Sequence, residues 1–205
     1  MTALILGADC LSNPIRYDVA AIKFMMLWPT MLRCGRECLI LTAAPTGEVL
    51  EARWSKIDVE QVAWTIPAGR MKAGREHRIP LAPRCIELLN QAKLLAAGSE
   101  FVFPGRSGKK PLSNMALLMT MRRLKLTYTV HGFRSAFRDW ASERTNFARE
   151  ICEAALAHIV KDKTEAAYRR GDLFEKRREL MATWARFVGG VSATLIQLKP
   201  AGTNG

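Results

Sequence analysis

Acidic residues are scarce in this chain: 19 Asp and Glu stand against 31 Lys and Arg, a formal net charge of +12 over 205 residues. That imbalance points to a polyanionic partner, nucleic acid before an acidic membrane. Long apolar runs are missing. The stretch 19–32 is interrupted by Lys23 and Pro29 and is too short to span a bilayer. The N-terminus MTALILGADC has neither a basic start nor a small-residue cleavage site, which argues against a signal peptide. Five cysteines (10, 34, 38, 85 and 152) form an odd, scattered set with no Cys-x-x-Cys and no zinc spacing. Reduced thiols in a cytoplasm are expected. A glycine-rich phosphate loop and a carboxylate metal cluster are also lacking. Histidine and tyrosine are rare, with three of each.

What is present reads as one soluble domain. The hydrophobic fraction is 49% and the charged fraction 24%, enough apolar material for a real core. Apolar periodicity predicts helices over residues 18–28, 31–43, 83–97, 113–123, 132–142, 149–157 and 173–188, with another capped by Thr164. Ser113 is placed to cap its helix, and Pro45 suits the first turn of a short one. Between residues 53 and 81 the period changes. Residues 53–58, 62–67 and 77–81 alternate apolar and polar side chains between turn formers, which predicts three short antiparallel strands. The fold class is therefore mainly α with a small three-stranded antiparallel sheet. The domain is expected over residues 17–188, with an irregular remnant at 1–16 and a flexible tail at 189–205.

Two of the three histidines and one of the three tyrosines fall between His131 and Tyr168. His131-Gly132-Phe133-Arg134 opens the stretch, His158 follows Arg134 by 24 residues, and Tyr168 lies ten further on, beside Arg169. Arg138 stands one helical turn from Arg134, so the two guanidiniums share a side of the helix. Residues 103–149 carry ten lysines and arginines against Asp139 and Glu143, and this basic region surrounds the His-Arg pair. A phosphate diester would use all of these groups. Arginine grips its oxygens through a rigid fork, histidine moves protons or donates near neutral pH, and a tyrosine oxygen is a nucleophile. Upstream, Lys72 sits with Arg70 and Arg75 in a basic, glycine-bearing hairpin tip between the second and third strands.

In order along the chain, Lys72, His131-x-x-Arg134, His158 and Tyr168 resemble the catalytic domain of the tyrosine recombinases, the phage-integrase family, and most of all integrases of prophages and genomic islands. The resemblance covers about residues 20–188 and is densest in WTIPAGRMKAGREHRIPL, HGFRSAFRDWASERTNF, EAALAH and EAAYRRGDLFEKRRELM. It implies that Tyr168 attacks a scissile DNA phosphate to form a 3′-phosphotyrosine. Arg134 holds the non-bridging oxygens, Lys72 protonates the departing 5′ oxygen, His131 assists proton transfer and His158 donates a hydrogen bond to the phosphate. Arg70, Arg75, Arg138 and Arg169 become candidate DNA contacts. The covalent intermediate keeps the phosphodiester energy, so neither cofactor nor metal is needed. Double-stranded attachment-site DNA is the implied partner, with a homo-tetramer on two duplexes, accessory DNA-bending or excision factors and no membrane.

Two departures qualify this. Family members carry a second phosphate-binding arginine in a segment like Thr-Ala-Ala-Arg-x-Gly-Glu, whereas here Thr42-Ala43-Ala44-Pro45-Thr46-Gly47-Glu48 places Pro45 at that position. Proline can neither carry charge nor donate a hydrogen bond. Arg53 and Arg36 are the nearest arginines, and neither is expected to substitute. Full-length integrases also carry arm-binding and core-binding domains for which this sequence has no room, so a truncated and catalytically impaired member is expected. The alternative is an inactive remnant that only binds DNA. A type IB topoisomerase shares the chemistry but matches the local motifs less well, and an RNA-binding protein explains the charge but not the spacing of Tyr168.

Overall fold

A computed structural model describes residues 31–123, 132–158 and 172–189. At its centre lies helix α1 (Met31–Thr42), whose residues from Cys34 to Thr42 are all buried. The continuous apolar run Cys38-Leu39-Ile40-Leu41 has no polar face to show to solvent, so the helix must be covered on several sides. Helix α3 (Pro83–Leu95) packs on one of them through Cys85, Leu88, Leu89 and Ala92, and begins with proline where a missing N–H costs nothing. Between the two is the short helix α2 (Thr46–Leu50). Helix α4 (Asn114–Arg123) follows, with the hydroxyl of Ser113 accepting the amide of Ala116 at 3.2 Å as the expected cap.

The sheet has the order β1-β2-β3, all antiparallel: β1 (Ile57–Asp58), β2 (Ala63–Ile66) and β3 (His77–Pro80). In the register Ile57 faces Trp64, Ala63 faces Pro80 and Ile66 faces His77. The first strand is shorter than its alternation suggests. Residues Trp54–Lys56 wind into a 3₁₀ turn closed by the amide of Lys56 on the carbonyl of Arg53, and Arg53 itself bridges to Phe101 instead. Val62, at φ 49°, marks the start of β2.

Three helices complete the described fold: α5 (Gly132–Arg144), α6 (Arg149–Ala155) and α7 (Phe174–Gly189). Helix α7 ties the two halves of the molecule together. The indole N–H of Trp184 donates to the carbonyl of Ile40 at 2.8 Å, and its ring packs on Phe137, Trp140 and Phe187. Trp184 is 1% exposed, so its loss to alanine costs about 3–5 kcal/mol. Arg177, also buried, donates to the carbonyls of Arg78 and Asp172 at 2.6 and 2.7 Å and pairs with the Asp172 carboxylate at 3.1 Å. Full pairing is what lets a guanidinium sit in the core. The expected segments 1–16 and 18–28, the helix capped by Thr164, and nearly all of the tail 189–205 lie outside the described residues.

Candidate active site

Arg134 occupies the first turn of α5, and its side chain is half-buried between the C-terminal ends of two other helices. One terminal nitrogen donates to the carbonyl of Ala43, just past α1, and the other to the carbonyl of Leu156, just past α6, at 2.8 Å. Both ends turn in the same way: Ala43 has φ 49° and Ala157 φ 54°, left-handed conformations that let a helix stop and turn its last carbonyls aside. Neither is glycine, so each carries a strain of about 1 kcal/mol. The guanidinium also meets the negative end of each helix dipole. Burial pulls its pKa below the usual arginine value, yet it stays cationic. Two of its five N–H groups are used on carbonyls, which fixes the plane of the fork, and the others have no hydrogen-bond partner among the described residues.

His158 follows from the same helix end. The amide of Ala157 bonds the carbonyl of Ala154, and the amide of His158 reaches back to the carbonyl of Glu153 at 3.0 Å, a Schellman turn. The turn stacks the side chain of His158 over that of Glu153, with Nδ1 2.5 Å from Oε2. The other carboxylate oxygen takes Nε of Arg138 at 3.0 Å. Burial alone would raise the Glu153 carboxyl, but the hydrogen bond from His158 and the charge of Arg138 outweigh it and hold the group below the usual carboxylate range.

Strand β3 reaches the same place. The ring of His77 is buried against the backbone of Ala155. Burial first, then the positive charge of Arg177, push its pKa down to about 4. The end of α6 thus takes donors from α5 and from its own turn, with His77 of β3 packed beside it, which answers most of the orphan carbonyls a helix terminus leaves. Sequence reasoning missed His77 and Glu153. The first looked like one more polar member of an alternating strand. The second stands five residues before a histidine, a spacing that pairs side chains only once the helix has ended.

The other candidates divide. Arg138 is drawn into this cluster. Lys72 and Arg75 are exposed on the β2–β3 hairpin, Lys72 without an ion-pair partner among the described residues. Arg70, from the 3₁₀ turn Ala68–Arg70 of the same hairpin, folds back on α2, pairing with Glu48 at 2.9 Å and Glu51 at 3.1 Å. His131, Tyr168 and Arg169 lie outside the described residues. Pro45 is one place earlier than its expected helical position. It is the N-cap of α2, in extended conformation, and its carbonyl receives the amides of Glu48 and Val49. It stands two residues from the carbonyl that holds Arg134. Arg53 is paired with Glu100 and stacked on Phe101, and Arg36 is buried in α1. Among the described residues no His, Cys, Asp and Glu group of three could hold a metal ion.

A sequence model of the phage integrase family matches residues 23–172. The chain belongs to that family. Among curated relatives, prophage integrase IntA of Escherichia coli K12 is 36% identical over 169 residues, 81% of this chain and 41% of IntA. Prophage integrase IntZ of the same organism is 36% identical over 157 residues, 76% of this chain and 39% of IntZ. The chain therefore spans about two fifths of the length of these relatives. Among solved structures, the integrase from mycobacterium phage Brujita superposes with a TM-score of 0.63 at 14% identity, over 92% of this chain and 66% of that one. A lambda integrase dimer bound to a COC′ core site gives 0.55 at 22% identity, over 78% and 59%. These likenesses show the fold, the catalytic-domain architecture of integrases.

Proposed function

We propose that this chain is the catalytic part of a site-specific DNA recombinase of prophage or genomic-island type, impaired by the proline at position 45. Tyr168 attacks a scissile phosphate and leaves a 3′-phosphotyrosine and a free 5′-hydroxyl. Arg134 holds the non-bridging oxygens as charge develops on them. His158 donates to the same phosphate, His131 assists the proton of the nucleophile, and Lys72, on its exposed hairpin, protonates the departing oxygen. Arg75, Arg138 and Arg169 track the DNA backbone, whereas Arg70, a candidate contact by its place in the hairpin, stays held by Glu48 and Glu51. The partner is double-stranded attachment-site DNA in the cytoplasm, bound by residues 17–188 as one domain, with a tetramer and accessory factors completing the synapse. No cofactor enters the reaction.

The observation that carries this reading is the seat of Arg134. A guanidinium fixed by two helix-end carbonyls, with His158 emerging from one of the same turns, is preorganised for a phosphate oxygen in the way transition-state stabilisation demands. Family membership supplies the reaction. The test is a nicked suicide duplex carrying the cognate attachment core: the expected result is a covalent protein–DNA adduct, faint in the natural chain, that Tyr168→Phe abolishes. An adduct surviving that change would refute the nucleophile. Pro45 favours a second reading, an inactive remnant that binds DNA without cutting it. Binding with no adduct, even in Pro45→Arg, would select it.

A further inference from the structure

The Schellman turn at the end of α6 usually closes with an apolar contact between its first and last residues. Here those residues are Glu153 and His158, joined by a hydrogen bond of 2.5 Å. Glu153 is 17% exposed in its side chain while His158 is 45% exposed, so the carboxylate is the anchored partner and the imidazole the presented one. The carboxylate is itself held from the far side by Nε of Arg138 at 3.0 Å. An ionised carboxylate only accepts hydrogen bonds, so the imidazole nitrogen facing it must carry the proton. The opposite nitrogen is then the one left to meet a ligand.

We infer that Glu153 is a positioning residue: it holds Nδ1–H of His158 against the carboxylate, so that Nε2, which carries a proton of its own in the imidazolium, is the nitrogen that donates to the phosphate beside Arg134. The inference rests on the proposed reaction for its purpose but not for its geometry. Two features set it apart from a surface ion pair. The backbone of the two residues is bonded in the same turn, at 3.0 Å from amide to carbonyl, so the two side chains start from positions that the helix end holds together. The same turn also delivers the Leu156 carbonyl to Arg134 at 2.8 Å. Histidine and arginine are therefore registered against one another by a single stretch of backbone, and Glu153 sets the remaining freedom, the ring flip and the tautomer. A carboxylate behind an imidazole commonly fixes both, and its loss typically weakens function about 10–100-fold.

The test reads the tautomer directly. The protein labelled with ¹⁵N-histidine is compared with Glu153→Ala, Glu153→Gln and Arg138→Ala by ring nitrogen–proton correlation spectra, the His158 signal being assigned by its loss in His158→Gln. The natural chain is expected to show the Nδ1–H form in neutral His158. In Glu153→Ala that form should give way to Nε2–H, with Glu153→Gln between the two. Arg138→Ala, which breaks the same ion pair from the other side, should leave the tautomer alone. His158 in the Nε2–H form in the natural chain would overturn the inference, as would a tautomer that moves equally with Arg138→Ala. In the Pro45→Arg background on the suicide duplex, Glu153→Ala should slow adduct formation about 10–100-fold, with Glu153→Gln recovering part of it. The tautomer is measured without DNA, so its failure removes the role of Glu153 alone, whereas loss of a Tyr168-dependent adduct removes the reaction on which the role rests.

Discussion

On the α5–α6 flank of the candidate site, Arg134 uses two N–H groups on carbonyls, and Arg138 shares a carboxylate with His158. On the α2–hairpin flank, Arg70 spends its charge on Glu48 and Glu51, and Pro45 offers nothing. The two flanks are built from the same materials, a helix end and a basic side chain. They differ in what meets the innermost arginine: backbone carbonyls for Arg134, two full carboxylates for Arg70. A carbonyl orients a guanidinium without neutralising it, whereas two carboxylates orient and cancel it. Among the described residues Arg134 thus keeps its charge unneutralised, whereas Arg70 does not.

The largest effect is expected from breaking the Arg134 flank. Arg134→Ala should leave the Ala43 and Leu156 carbonyls without their shared donor, lower stability by roughly 2–3 kcal/mol in urea unfolding, and reduce any adduct by a factor of at least about 10²–10³. Unchanged stability would mean the carbonyls are not what seats the guanidinium. Repairing the other flank should come next. Pro45→Arg is expected to raise adduct formation by about 10²–10³, equivalent to about 2.7–4 kcal/mol of transition-state stabilisation. Position 45 precedes a helix whose first amides are bonded to its own carbonyl, and arginine retains that carbonyl, so the fold should tolerate the change.

Proton uptake offers a third test. Histidine in the unfolded chain titrates near 6.5, whereas buried His77 titrates at about 4. Between those values the unfolded chain binds more protons, so stability is complete above pH 6.5 and falls as the pH drops towards 4, by about 3 kcal/mol in all. His77→Gln, which removes the titrating ring and keeps a polar side chain beside Ala155, should flatten that slope in unfolding curves taken between pH 7 and pH 4. The smallest effect separates the hairpin arginines. Arg75→Gln should reduce the salt dependence of DNA binding by about one counterion, whereas Arg70→Gln should leave it nearly unchanged while altering stability by less than about 1 kcal/mol. Equal slopes would show that Arg70 leaves its carboxylates when DNA arrives.

Much of this architecture is legible from residues alone where one period dominates. Helices α1, α3, α5 and α7 follow their apolar spacing to within a few residues, and β2 and β3 follow their alternation. Residues 53–58 mislead because a 3₁₀ turn displays the same short alternation as a strand, and only the partner across the gap, Phe101, distinguishes them. Nothing in EKRRE sets Arg177 apart from its neighbours, yet it is buried, with acceptors supplied by Arg78 and Asp172. The motif gives Arg134 and His158 but not what orients them. Carbonyls belong to no residue type, and Ala157 takes a left-handed conformation without the glycine that would announce it.

The aromatic cluster under α7 makes docking of that helix visible to light. Trp140 and Trp184 have ring centroids 5.0 Å apart and planes inclined at 51°, with Phe137 and Phe187 against them. Two indoles that close and skewed are coupled chromophores, and their mutual orientation exists only while α7 lies on α5 and α1. Near-ultraviolet circular dichroism should therefore record, without a label, the moment at which the C-terminal helix closes over the core. Trp184→Phe provides the blank for that signal.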